Sequence, residues 1–172
     1  MFFVIYLKKR RMMIMTKDLN QDRGIYSALD IAHWFLNYNY QLREFEDEDT
    51  DNISNLKLQK LLYYAQGCYL ALRDRALFND KILAWKHGPV VEGVYYIFRK
   101  FGADGISEFD KNIEIDKDTE DILIEVYNVF GKYSAWGLRE MTHNETPWKS
   151  TKQSEEISQE SIKEYFEENY VS

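Results

Sequence analysis

From Ala28 the apolar residues fall at Ala28, Ile31, Ala32, Phe35 and Leu36, the i, i+3, i+4, i+7, i+8 spacing that lines one face of a helix. Ser27 stands where a side-chain oxygen can cap its first turn. The acidic stretch at residues 44–51 has no apolar period and reads as a solvated loop. Ser54 then caps a second helix, whose stripe Leu58, Leu61, Leu62, Ala65, Tyr69 and Leu72 is the most regular in the chain. That helix is the expected spine of the core, with Lys57, Lys60, Tyr64 and Arg73 lying off the stripe.

After Asn79-Asp80 the segment KILAWKHG is too short for a stable helix and alternates Ile82 and Ala84 with Leu83 and Trp85, which predicts a short strand stopped by Gly88-Pro89. Pro89 fits the first position of a third helix, since its fixed φ suits that turn and its missing N–H would be unpaired there anyway. Val91, Val94, Tyr95, Phe98 and Phe101 supply the buried face of this helix and Gly102 its stop. Residues 106–115 read as a loop with some strand character. Leu123, Val126, Tyr127 and Phe130 align as a fourth helix ahead of Gly131, and Ser134 caps a short fifth helix to about Thr142. HNETPWK, residues 143–149, reads as an ordered loop anchored by Trp148. A last helix follows Ser158, with Ile162, Tyr165 and Phe166 inward and an acidic outer face. No repeat or linker breaks the pattern. The expectation is a mainly α, single compact domain over residues 25–172, of about six helices with a minor short-strand element.

Composition agrees: 45% hydrophobic and 30% charged residues are the balance of a folded chain, not a disordered one. Thirteen Tyr, ten Phe and four Trp make the core aromatic-heavy, and two Pro and eight Gly leave long helices uninterrupted. A formal net charge of -7 argues against nucleic acid as the main partner. Cys68 is the only cysteine and needs no oxidising compartment, so a cytoplasmic location fits. At the N-terminus the apolar run Phe2 to Leu7 precedes Lys8, Lys9, Arg10 and Arg11, the reverse of a secretory signal, and it is far too short to span a bilayer. With Met12, Met13 and Met15 just downstream, residues 1–24 read as a disordered leader or an over-extended start, and no membrane role is expected.

Three segments carry more than fold: LKLQKLLYYAQG (56–67), AWKHGPVV (84–91) followed by VYYIFRKFG (94–102), and LREMTHNETPWK (138–149). In order and in register they resemble the SocA-like antitoxin, Panacea domain family, from about Tyr26 to Phe166. The resemblance implies a mostly helical, phage-associated or bacterial protein that binds and neutralises a protein toxin, usually the product of an adjacent gene. In one branch it implies an adaptor that delivers the toxin to a Clp-type protease. Residues 1–24 and the acidic stretch 44–51 fall outside the family's pattern.

The expected partner-binding residues are Lys57, Lys60, Tyr64, Gln66, Trp85, Lys86, His87, Pro89, His143 and Trp148. For Lys57, Lys60, Tyr64 and Gln66 an exposed polar-aromatic contact surface and a merely solvated face both remain open. Trp85 either packs the sharp turn or makes contact, whereas Lys86 and His87 have little reason to be buried. His143 caps or bonds its turn while Trp148 anchors the loop. No catalytic residue, metal or cofactor is expected. The rival reading is a small hydrolase or nucleic-acid-processing enzyme, which needs His87, His143 and Glu145 to converge in one cleft. A third is a DNA-binding regulator using Lys57, Lys60, Arg99 and Lys100.

Overall fold

The computed structural model describes residues 26–45 and 50–171, so the leader expected at residues 1–24 and positions 46–49 of the acidic stretch 44–51 lie outside the described residues. The described residues form seven α-helices: α1 (Ala28–Phe45), α2 (Asn55–Arg73), α3 (Glu92–Phe98), α4 (Lys117–Phe130), α5 (Ala135–Asn144), the single turn α6 (Thr146–Lys149) and α7 (Gln159–Phe166). A two-stranded antiparallel hairpin, β1 (Leu83–Trp85) and β2 (Gly88–Val90), is inserted between α2 and α3. The caps follow the sequence. Ser27 Oγ accepts from Asp30 N, Ser54 from Lys57 N, Ser134 from Gly137 N and Ser158 from Ser161 N, each satisfying a first-turn N–H that the helix leaves unpaired.

Helix α2 is the axis around which α1, α3, α4, α5, α7 and β2 pack. Every residue from Leu58 to Leu72 is buried, so α2 is enclosed on all sides and has no solvated face. Gln59, Lys60 and Gln66 are tolerated there because each supplies a hydrogen bond to backbone that a neighbouring segment lacks. Gln66 Oε1 accepts from the backbone N–H groups of Leu77 and Phe78 while its Nε2 donates to Phe78 O, so one amide acts as a strand edge for that connection. Gln59 Oε1 likewise accepts from Val91 N, and its Nε2 donates to Asn55 Oδ1. Lys60 Nζ donates to Pro89 O at 2.9 Å.

The hairpin corrects one expectation. Pro89 does not start a helix: it sits in β2 opposite Ala84, and α3 begins after Val91. Strand β1 ends at Trp85 as expected, but the chain returns at once, through the two-residue turn Lys86-His87, with Gly88 (φ 100°) taking a conformation that L side chains rarely adopt. Space also requires glycine at position 88, where a Cβ would meet Lys60 Cε at 2.7 Å and Thr142 Oγ1 at 2.8 Å. On its other edge β1 is bonded to the 154–157 segment through Ala84 N to Glu155 O, Ser154 N to Ala84 O and Ile157 N to Ile82 O. The hairpin is therefore held from both sides, and only its turn projects.

Helix α3 ends in a 3-10 turn, Arg99–Phe101, before Gly102 (φ 58°), where the stop was expected. HNETPWK is not a loop: α5 runs on through Asn144 and α6 follows immediately with Pro147 in its first turn.

Candidate functional site

The projecting turn places Lys86 and His87 in solvent. Around it lies a band of half-exposed aromatics. The Trp85 ring meets Tyr95 edge-on with centroids 5.0 Å apart, and Tyr95 meets Tyr96 at 5.6 Å. On the other side of the turn His87 faces Trp136 at 6.0 Å, and Arg139 lies 5.0 Å over the Trp136 ring while its Nε donates to His87 Nδ1 at 3.3 Å. Arg139 also pairs with the exposed Glu140. Trp136 is 60% exposed, Tyr96 50% and Ile97 48%, a concentration of large apolar side chains in solvent that a core does not need and a contact surface does.

Two hollows flank the turn. One, of about 510 Å³, lies between the start of α2, the hairpin and α3; the other, of about 160 Å³, lies between the hairpin and α6. Trp85, Lys86 and Gln153 line both. The far wall of the second is Trp148, whose Nε1 donates to Trp85 O at 2.9 Å and whose ring stacks on His143 with centroids 3.8 Å apart. Trp148 therefore anchors α6 to the hairpin, as expected of it. His143, expected to cap or hydrogen-bond its turn, instead stacks on Trp148 near the end of α5, and its Nε2 has no hydrogen-bond partner. Burial, followed by the nearby Arg139, lowers the His143 pKa.

Of the ten expected contact residues, the structure brings Trp85, Lys86, His87, His143 and Trp148 together around the turn. Lys60, Tyr64 and Gln66 are buried, which corrects the exposed-surface reading for these three: they can reach no partner in this conformation. Pro89 is buried as well. Lys57 is half-buried, with Nζ donating to Gly131 O.

Tyr64 instead belongs to a buried polar centre. Its hydroxyl donates to Glu145 Oε1 at 2.8 Å, and Tyr170 donates to the same oxygen at 2.7 Å. Tyr63 is close enough to act on the carboxylate electrostatically, yet its hydroxyl and Glu145 Oε2 lack a hydrogen bond of proper geometry. Burial raises the Glu145 pKa against the opposing hydrogen bonds, and burial first, then the carboxylate, raises those of Tyr64 and Tyr170. Removing the Tyr64 hydroxyl leaves one oxygen of a buried carboxyl with a single donor. Tyr64→Phe should therefore cost roughly 1–3 kcal/mol in chemical denaturation, and a variant as stable as the parent would show that the hydrogen bond contributes nothing.

The rival readings fare differently from the contact surface. Glu145 is turned into the core, His143 is stacked on Trp148, and neither lines either hollow. No hydrogen bond joins His87, His143 and Glu145 to one another. Among the described residues no group of three or more His, Cys, Asp or Glu could hold a metal ion, and no helix is long and apolar enough to cross a membrane. The cation set of the DNA-binding reading is broken up, since Lys60 is buried and Lys57 is engaged by Gly131 O, leaving Arg99 and Lys100 in solvent.

Sequence reasoning missed Tyr95, Tyr96, Trp136 and Arg139 as parts of this surface. Trp136 carried a signal: it stands in the first turn after Ser134, ahead of the only buried apolar residue in α5, Leu138.

Comparison with known proteins bears on the same region. A sequence model of the family "Antitoxin SocA-like, Panacea domain" matches residues 58–149, more than half of the chain and the stretch running from α2 through the hairpin to α6. The chain is 48% identical over 66 residues to Antitoxin SocA of Caulobacter vibrioides (strain NA1000 / CB15N), an alignment that covers 38% of this chain and 33% of that protein. The similarity therefore spans about a third of that relative's length. No solved structure matches the chain. The chain belongs to the SocA-like antitoxin, Panacea domain family.

Proposed function

We propose that this protein is an antitoxin that works in the cytoplasm as a binding module, neutralising a toxin protein encoded by an adjacent gene through direct contact at the hairpin turn. What carries the reading is the exposed turn Lys86-His87 with the aromatics Trp85, Tyr96 and Trp136 about it, on elements that lie within the residues matched by the family model. Aromatic and long cationic side chains give large contact area for little ordering cost, which is why they dominate interface energetics. The turn itself is short and backed by two layers of hydrogen bonds, so little conformational entropy is lost when it is covered.

Binding can silence a toxin by occluding it or by handing it to a Clp-type protease, and the contact surface serves either outcome. The toxin's half-life in cells separates them: occlusion leaves it unchanged, delivery shortens it.

The test is co-purification of the tagged full chain with the product of each adjacent gene, for the parent and the Lys86→Ala/His87→Ala variant. Both residues are exposed, so the melting temperature should stay nearly unchanged while affinity falls by roughly ten-fold or more, the scale of losing one hot-spot contact. Unchanged affinity would remove the turn from the interface. Failure of every neighbouring product to co-purify with the parent would defeat the reading as a whole.

A further inference from the structure

The larger hollow has a charge composition that the rest of the chain does not share. Its wall includes Lys86, His87 and Arg99 and not one Asp or Glu, in a chain whose formal net charge is -7. Neither Lys86 nor Arg99 is in an ion pair among the described residues; Arg99 rests 5.3 Å over the Tyr96 ring, with no carboxylate to neutralise it. Below these cations the lining is apolar and aromatic, with Leu56, Val90, Trp85 and Tyr95. Unpaired cations at the mouth of an apolar, partly aromatic cleft form a site for a carboxylate-bearing chain that also carries an apolar anchor.

We propose that this hollow receives a short acidic segment of a protein partner, with carboxylates on Lys86 and Arg99 and an apolar side chain against Trp85 and Tyr95. The proposal rests on the binding-module reading above and adds the chemistry of what is bound. A nucleic acid strand fits less well: its charges continue at regular spacing, and past the hollow they would meet the exposed Glu92, at the start of the α3 helix that leads into Arg99, and Asp104, next to Ala103 in the wall. The chain's own cluster Lys8, Lys9, Arg10 and Arg11 has the wrong sign.

The experiment is selection from a display library of random ten-residue peptides on the immobilised full chain, in parallel with a Lys86→Glu/Arg99→Glu variant. Both changes lie on exposed side chains, and circular dichroism checks that the variant is folded. The parent should select peptides enriched in Asp and Glu around an apolar residue. Their affinity should fall with added salt, and roughly ten-fold or more on charge reversal. A selection with no acidic bias, or one that survives charge reversal, would overturn the proposal, as would tighter binding of a single-stranded oligonucleotide of matched length. Acidic selection that emerges only after Glu46, Asp47, Glu48 and Asp49 are replaced by serine would also overturn it, because the occupant would then be the chain's own acidic stretch. Growth rescue by the parent chain keeps the two readings apart. If the library shows no acidic bias but the parent still rescues a toxic neighbour, the acidic hollow fails and the antitoxin reading stands.

Discussion

Gly67→Ala should destabilise the protein by about 3 kcal/mol or more, although alanine is the better helix former by ~1 kcal/mol. Gly67 lies in the middle of α2, where a Cβ would come within 2.5 Å of Cζ, Cε1 and Cε2 of Phe166 on α7. The tip of that ring points at the Gly67 backbone, and the ring cannot retreat freely. It is fully buried and wedged against Tyr63 at 5.4 Å, Tyr64 at 5.9 Å and Tyr170 at 4.9 Å between centroids. Admitting the methyl group therefore displaces an aromatic cluster that also seats the Glu145 centre. For a chain of this size the loss corresponds to a fall in Tm of about 6–12 °C. Phe166→Leu frees the space, so the double variant should lose less than the sum of its parts, as contacting residues do. A Gly67→Ala variant equal to or more stable than the parent would mean that α7 does not pack on α2 as described.

The second large effect is a rise of stability with pH that depends on Lys60. Burial, with Arg139 adding to it, pushes the Lys60 amine down from 10.5 to about 7. Below pH 7 the amine is protonated in folded and unfolded chains alike, and the folded state carries the full cost of a buried ammonium. Between about 7 and 10.5 the unfolded chain holds a proton that the folded chain has released, so stability climbs with pH, at most about 1.4 kcal/mol per unit. From pH 7 to pH 9 the gain is about 2 kcal/mol. Lys60→Met keeps the length of the side chain and removes the titration. Its stability relative to the parent should therefore worsen by about 2 kcal/mol over the same interval, while His143 and Glu145, present in both proteins, drop out of the difference. Denaturant melts at four pH values measure this. Parallel curves would mean that Lys60 titrates near its usual range and that the interior around Pro89 O admits water.

Lys60 shows where the sequence was legible and where it was not. The helix periods of α1, α2, α4 and α7 and the caps at Ser27, Ser54, Ser134 and Ser158 could be read because they depend on local spacing. The stripe of α2 was read as one face of an amphipathic helix, which sent Lys60, Tyr64 and Gln66 to the surface. Only Gln59, Lys60 and Gln66 are strongly polar between Leu58 and Leu72, with no acid among them, too few for a solvated face. That count was the available sign of an enclosed helix. What one helix cannot reveal is which neighbouring segment will lack a partner, and so which of its amides and amines will be drawn inward.

The hairpin illustrates the same limit. Gly88-Pro89 is compatible with both a helix start and a returning strand, and local propensity favoured the helix. The outcome turns on contacts far along the chain: Lys60 Nζ on Pro89 O, and residues 154–157 bonded to β1. Once the chain returns at Lys86-His87, those two residues must project; their exposure and a sharp turn here could be anticipated, but not that the chain would return as a strand. Tyr96 and Trp136, separated by forty positions in sequence, share the surface only because α3 and α5 flank one hairpin.

Antagonism of a toxin by this chain can be read from growth. Each gene adjacent to its own is induced in a plasmid-borne host, alone and together with this chain. One neighbour should arrest growth and the parent chain should restore it, with the Lys86→Ala/His87→Ala variant restoring it less well. Arrest by a neighbour that the parent chain fails to relieve, or the absence of any toxic neighbour, would contradict that antagonism.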